Sequence, residues 1–293
     1  MIDLPSGIRE LRRRIRAIRG TEQLTKAMKM IAIARLGGAE QRVSAARAYA
    51  HAIRAILADL AAAGHRPREL ASLQTPRDVK RDLYIVFASD RGMAGSFNHN
   101  LVQATLAAMG RHRATEHTVM PIGRRGLQYF RRLGVPLTKG YTSVSAETSY
   151  RLAAAIATEV SRDYAGRVYD EVFLVYNEFV NALVQRPTVL RLLPLSPEEW
   201  TPAEPQSIYD YLPSSQAVLD RLIPRFLEAQ VYWAAIQSRA SEHGARLTAM
   251  GTATENAEEM LHRLTLSLHR ARQTQVTAEL AEIVGGRADT GGG

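Results

Sequence analysis

The sequence predicts an α/β fold in which long N- and C-terminal helices pair as an antiparallel coiled coil and carry an α/β domain inserted between them. Three observations predict it. Apolar residues return at alternating spacings of three and four through roughly 60 residues at each end of the chain. The roughly 150 residues between them alternate short apolar strands with helical stretches. Prolines are missing between Pro5 and Pro67, and again after Pro224, so neither terminal pattern is interrupted.

The stretch from Ala217 to Ile283 carries the stronger of the two patterns. Its small or apolar positions are Leu219, Leu222, Phe226, Ala229, Trp233, Ile236 and Ala240. The spacing passes His243 to Leu247 and Met250, then passes Thr254 to Ala257, Leu261, Leu264, Leu268 and Ala271. One helix of about 60 residues would be about 90 Å long, which outreaches a compact domain and requires a partner. The N-terminal stretch supplies it. Ile8, Leu11, Ile15 and Ile18 open its pattern, a phase shift runs through Leu24, Met28 and Ile31, and the spacing resumes at Leu36, Ala39, Val43, Ala46, Ala50, Ile53, Leu57 and Leu60. Asp3 or Ser6 is placed to cap its start, and Gly64 with Pro67 marks its end.

Two helices so far apart in sequence, joined by a globular insert, must run antiparallel. From exits near Ala63 and Leu212, the numbers of facing residues should add to about 275. That register leaves the segment from Arg272 to Ile283 projecting past its partner. It also sets Gly37-Gly38, which cost a helix about 2 kcal/mol relative to alanine, opposite Gln237 and one turn from Trp233. The pair either makes room for that indole or is a weak point in the helix.

In the insert, Asp82 to Ala88 reads as a continuous apolar strand, followed by the turn Ser89-Asp90-Arg91-Gly92-Met93-Ala94-Gly95 and a helix from Phe97 to Met109. Thr118 to Ile122 is a strand, Leu127 to Leu133 a short helix, and Thr148 to Tyr164 an amphipathic helix. Glu171 to Val180 and Arg186 to Leu193 are strands that can form a hairpin across Asn181-Ala182. Apolar strands alternating with helices predict a mostly parallel, helix-covered sheet of Rossmann-like type. The expected domains are therefore a helix over 1–66, a Rossmann-like domain over 75–195, a proline-rich loop over 196–213 and a second helix over 214–286, with a disordered tail from Arg287.

Composition narrows the function classes. The chain has no cysteine, which excludes disulfides, thiolate-zinc sites and cysteine nucleophiles. No apolar run approaches a membrane span and there is no signal-peptide core, so the expected setting is a reducing aqueous compartment without direct membrane insertion. The net charge of +9 is concentrated: residues 1–60 hold twelve Arg and Lys against five acids, whereas 214–287 hold eight of each. A basic helix favours an acidic protein surface or nucleic acid. Interleaved aromatics are missing from it except for Tyr49, which favours the protein partner.

Candidate chemistry is sparse. The strand–turn–helix around Asp90, Gly92 and Gly95 puts glycines and amides where nucleotide-binding folds hold phosphate. It lacks GxGxxG spacing and a Lys-Ser/Thr pair, so a structural turn is the better reading. His262 and His269 share a helical face without a third ligand. The carboxylate pairs Glu198-Glu199 and Glu258-Glu259 stand at positions expected to be solvated. Neither an enzyme active site nor a metal or cofactor site emerges.

Several segments together resemble one family. Ile8-Arg9-Glu10-Leu11, Thr25-Lys26-Ala27-Met28-Lys29-Met30-Ile31-Ala32, Ser89-Asp90-Arg91-Gly92-Met93-Ala94-Gly95, Val175-Tyr176-Asn177-Glu178-Phe179 and Leu193-Pro194-Leu195 are similar, in order, to the gamma subunits of F-type ATP synthases. The C-terminal signature is the most specific: Ala240 to Met250, Ala253 to Ala257, Leu264-Thr265-Leu266, Arg270 to Gln273, Thr277 and Glu282 to Gly286. The resemblance implies a non-catalytic central-stalk rotor. It would transmit torque between a membrane c-ring and an alpha/beta catalytic hexamer during proton-driven ATP synthesis. The implied partners are the alpha and beta subunits, the epsilon subunit and the c-ring, with no nucleic acid, at the cytoplasmic face of a bacterial plasma membrane. It implies that Arg272, Gln273 and Thr277 meet a beta-subunit loop. It also implies that Met28, Lys29 and Arg246 form a coupling region near an acidic lever of beta; in the register above Met28 and Arg246 face each other. Without the resemblance, a coiled-coil adaptor or nucleic-acid binder using the basic helix is the alternative.

Overall fold

A computed structural model describes residues 4–62, 79–112, 114–143, 149–195 and 214–288. Helix α1 spans Leu4–Ala62. The insert holds β1 (Arg81–Phe87), α2 (Phe97–Met109), β2 (Glu116–Ile122), α3 (Arg124–Arg132), α4 (Ser149–Ala165), β3 (Glu171–Phe179) and β4 (Gln185–Leu193). Helix α5 spans Ser215–Ala288 and contains Pro224. The helix thus begins before the proline. Pro224 removes one backbone donor near the N-terminal end, where little of the hydrogen-bond ladder precedes it, and its ring is exposed. Asp3, Gly64, Pro67 and the loop 196–213 with Glu198-Glu199 lie outside the described residues, as does the tail beyond Ala288. Ser6 lies inside the first turn of α1.

The chain divides into two compact units, Met1–Ile31 with Ala249–Gly293, and Ala32–Thr248. The division falls along the long helices rather than between them and the sheet.

In the first unit, Ile8, Ile15 and Thr25 are buried on α1, while Leu24 and Ile31 are 58% and 53% exposed. Glu22, Met28 and Lys29 are half-buried. The seam keeps a three-four spacing through Glu22, Thr25 and Lys29, and Leu24 and Ile31 of the expected phase shift stand outside it. The Thr254 hydroxyl lies 2.9 Å from that of Thr25, and both are buried. Their numbers add to 279, one helical turn from the expected 275. At 275 Thr25 would oppose Met250. At 279 the two hydroxyls meet instead, and a paired polar contact within an apolar seam selects register.

In the second unit, Ala39, Val43, Ile236 and Ala240 form one cluster at the same sum, with Ala46 and Trp233 packed against it. The sheet order is β2-β1-β3-β4. β1 pairs in parallel with β2 and β3, and β4 returns antiparallel to β3. Asn181 shapes the hairpin, its Oδ1 accepting from the N–H groups of Leu183 and Val184 at 2.9 Å each. Alternate residues divide the core. Tyr84, Val86, Val119, Phe173 and Val175 face α2 and α3. Leu83, Ile85, Phe87, Met120, Val172 and Leu174 face α4 together with Ile53 of α1 and Leu219 to Ala234 of α5. The long helices are thus one covering layer of the sheet. A charged pin lies in the other layer: Asp82, fully buried, bonds His117 Nδ1 at 2.7 Å and accepts from the Tyr84 hydroxyl at 3.0 Å. Burial and that carboxylate push the Tyr84 phenol well above its usual range.

Helix α3 starts three residues before the expected Leu127. Asp90 Oδ1 accepts from the Arg124 N–H at 3.0 Å, a cap supplied from a distant turn.

Gly37 and Gly38 do not make room for Trp233. A methyl group at Gly37 would meet nothing within 4 Å, and at Gly38 only the Arg42 guanidinium at 4.0 Å. The indole packs instead against the cluster of Ala39, Val43, Ile236 and Ala240 and lines a shallow recess with Ala46 and Ala50. With open space at both sites, the cost is that of the glycine backbone. Gly37→Ala and Gly38→Ala should each stabilise the chain by about 1 kcal/mol, read as a higher midpoint in urea at unchanged slope.

Candidate functional site

The turn after β1 is built by its own side chains and those of α3 and α5. The Ser89 N–H donates to Asn98 Oδ1 at 3.0 Å, and its hydroxyl donates to the Arg91 carbonyl at 2.7 Å. Asp90 Oδ1 accepts from both Arg124 and Ser143 N–H groups at 3.0 Å. Met93 (φ 61°) and Gly95 (φ 55°) take the left-handed conformation that lets the chain turn into α2. At Gly92 a Cβ would stand 2.8 Å from the Arg125 guanidinium, the far end of a flexible side chain that can move aside. Ala94 and Phe97 pack with Ala245, seating the turn on α5. The amides of Ser89, Phe97 and Arg125 are all bonded inside the protein, to Asn98 Oδ1 and to the carbonyls of Ala94 and Ser89.

Helix α5 is stitched to the sheet by polar side chains that a heptad pattern does not mark. Ser238 donates to the Phe87 carbonyl. Ser241 donates to the Asn177 carbonyl at 2.9 Å, and Gln237 Oε1 accepts from the Phe179 N–H at 2.8 Å. A Cβ at Gly244 would stand 3.2 Å from Ala182 Cα at the hairpin tip. These bonds hold Arg246 in place. Its guanidinium, only 8% exposed, pairs with Glu242 at 2.6 Å and reaches the Gly92 carbonyl at 3.4 Å. Asp90, Gly92 and Arg246 are thus brought together.

Beside them a recess of about 410 Å³ opens at the carboxyl ends of β1 and β2. Arg35, Arg91, Arg124, Arg239 and His243 line it along with Asp90, Glu242 and Arg246. His243 is 6% exposed, and its Nδ1 has no hydrogen-bond partner. Sequence reasoning named Asp90, Arg91 and Arg246 separately and missed the grouping and the rest of these residues. His243 reads only as an interruption of the seam, and the arginines are scattered over more than two hundred positions, so no local signal unites them.

Met28 and Lys29 belong to the first unit, where the Lys29 ammonium lies 3.8 Å from the position a Cβ on Gly251 would take. With pairs adding to 279, the arithmetic that set Met28 against Arg246 no longer applies. Arg272, Gln273 and Thr277 are exposed, the Thr277 hydroxyl donating to the Gln273 carbonyl at 2.8 Å. His262 and His269 are exposed as well, as are Glu258 and Glu259. Among the described residues no group of three metal-ligating side chains converges, and no helix is long and apolar enough to cross a membrane.

A family model described as ATP synthase matches residues 7–288. The ATP synthase gamma chain of Pelotomaculum thermopropionicum is 41% identical over 286 residues, covering 97% of this chain and 99% of that one. That of Heliobacterium modesticaldum is 41% identical over 293 residues, with the same coverage. Among solved structures, the rotor of the Euglena gracilis mitochondrial ATP synthase is similar with a TM-score of 0.66 at 16% identity, covering 93% of this chain and 99% of that one. The central stalk and c-ring assembly of the Tetrahymena thermophila enzyme contains a chain similar at a TM-score of 0.59 and 24% identity, covering 78% and 99%. At those identities the structures speak for the fold.

Burial holds the His243 imidazole down to a pKa of about 4, and the neighbouring Arg246, Arg239, Arg35 and Arg42 add to the effect. The folded state therefore favours the neutral ring. Its contribution to stability is complete above the unfolded value of about 6.5 and is lost as pH falls toward about 4. Thermal melts between pH 7 and pH 4 should show this loss, and His243→Gln should flatten the slope across that window.

Proposed function

The chain belongs to the gamma-chain family of ATP synthases, and from that premise we propose that it is the non-catalytic, torque-transmitting rotor of the central stalk. Its partners in this reading are the alpha and beta subunits of the catalytic hexamer, the epsilon subunit and the c-ring. It works as a peripheral subunit, at the cytoplasmic face of a bacterial plasma membrane, during proton-driven synthesis. The bacterial origin of the similar gamma chains supports that location.

One observation carries the rotor reading. The 279 register sets Leu4, the first described residue of α1, opposite Gln275, yet α5 continues to Ala288. Apart from Gln275, the side chains from Arg272 to Ala281 are exposed, including Val276 and Leu280 at 54% and 58%. A helix end that presents apolar and polar groups on every side suits a shaft tip turning within a sleeve of protein. Arg272, Gln273 and Thr277 then meet a beta-subunit loop. Torque transmission needs a stiff, asymmetric body, and a helix pair in which one member outlasts the other is asymmetric by construction. Each of the three catalytic sites is approached by a different face as the shaft turns.

Met28, Lys29 and Arg246 form the coupling region of this reading, and the domain division is two shaft helices, 1–66 and 214–286, flanking an insert over 75–195. Exposed Leu24 and Met30 (62%) among the cations of α1 support a protein partner over nucleic acid, since apolar side chains on a basic surface are complementary to protein. Asp90, Gly92 and Gly95 hold the insert against the shaft rather than binding a ligand through their backbone.

Co-expression with alpha, beta and epsilon subunits should yield a salt-stable complex in which ATP hydrolysis drives rotation. Recovery of the chain with DNA or RNA alone, in a complex dissolved by salt, would overturn the rotor reading. Met28→Lys should leave assembly intact and lower proton pumping per ATP hydrolysed. A normal pumping ratio in that variant would remove Met28 from the coupling region.

A further inference from the structure

The recess at the carboxyl ends of β1 and β2 has features that torque transmission does not use. It lies where open α/β sheets take their ligands, at the edge beyond the strand ends. Five guanidinium groups line it against two carboxylates, an excess of three positive charges. Both carboxylates are engaged: Asp90 accepts from the backbone of Arg124 and Ser143, and Glu242 pairs with Arg246. Among the described residues, the side chains of Arg35, Arg91 and Arg124 have no ion pair. In its wall stands His243, 6% exposed, with Nδ1 unpartnered. A buried polar atom without a partner costs free energy until a ligand or water supplies one.

The chemistry that fits is a compact oxyanion of high charge. Guanidinium groups approaching from several elements bond a phosphate through separate oxygens, and each such bond is charge-assisted. The aromatic rings of the lining, Phe87 and His243, are themselves buried at 4% and 6% exposure, so no open face remains for a nucleoside base. The volume of about 410 Å³ exceeds the need of a single phosphate and accommodates a diphosphate. We infer that this recess binds inorganic phosphate or diphosphate through the side chains of Arg35, Arg91, Arg124 and His243. The Ser89 amide takes no part, because it is bonded to Asn98 Oδ1. Arg246 and Glu242 stay paired behind the anion. The inference is independent of the rotor reading, since every group invoked lies in the unit 32–248.

The test is titration of the full chain with sodium phosphate and with sodium diphosphate, followed by calorimetry at ionic strength held constant with chloride. Saturable one-to-one binding is expected. Arg91→Gln and Arg124→Gln should each weaken it about tenfold or more, the effect of losing one charge-assisted hydrogen bond. Both side chains are exposed, so these variants should melt as the parent does. Arg162→Gln, an exposed arginine on α4 away from the recess, should leave binding unchanged. A second readout separates a bound anion from general screening. Phosphate should raise the pH at which the His243 ring resonances titrate, whereas chloride at the same ionic strength should not.

Binding that fails to saturate, or that survives both arginine substitutions, would overturn the assignment. So would a His243 titration indifferent to phosphate. ADP binding tighter than diphosphate would show that a nucleoside is read and refute the inorganic anion. Binding of an acidic peptide in place of either phosphate would make the recess a protein-docking surface and refute the site as well.

Discussion

Knobs on α1 and α5 meet at one register: Thr25 with Thr254 in the first unit, Ala39 and Val43 with Ala240 and Ile236 in the second. A displacement by one turn would set Thr25 against Met250 and break the hydroxyl pair. The penalty is of the order of a lost hydrogen bond, a few kcal/mol at most. Repeated along a seam of small side chains, such differences suffice to leave a single arrangement. From that arrangement comes the offset between the helix ends, and from the offset comes the exposed tip of α5.

The same helix, α5, also builds the core of the insert. Its residues Leu219 to Ala234 complete one face of the sheet, and Gln237, Ser238 and Ser241 bond to strand-end backbone. A shaft helix that is also a wall of the α/β core cannot rotate or slide within that unit without breaking buried hydrogen bonds. This makes the second unit suited to passing torque between its own elements. It also fixes the carboxyl ends of β1 and β2 against a cationic face of α5, which is how scattered arginines and a buried histidine come to share one recess.

Glycines illustrate how differently one residue type is used. Gly244 is crowded by the hairpin backbone at Ala182, whereas Gly92 faces only the movable end of the Arg125 side chain. Gly37 and Gly38 lie in open space on a helix and give up stability without any packing return. Trp233, which the expected register ties to that pair, packs against Ala39, Val43, Ile236 and Ala240 instead.

Periodicity alone determined the two long helices, the alternation of strands and helices between them and the antiparallel hairpin, because each rests on contacts or patterns local in sequence. The strand β1 and the helix α2 were legible almost to the residue. Family resemblance supplied the rotor and its named residues. The tertiary structure alone decided the register, the seam through Glu22, Thr25 and Lys29, the early start of α3 and the assembly of the cationic recess. Each depends on groups distant in sequence: a hydroxyl pair 229 positions apart, a carboxylate capping a helix 34 positions on, and arginines gathered from α1, the turn, α3 and α5. No window along the chain holds such partners together, so only folding reveals them.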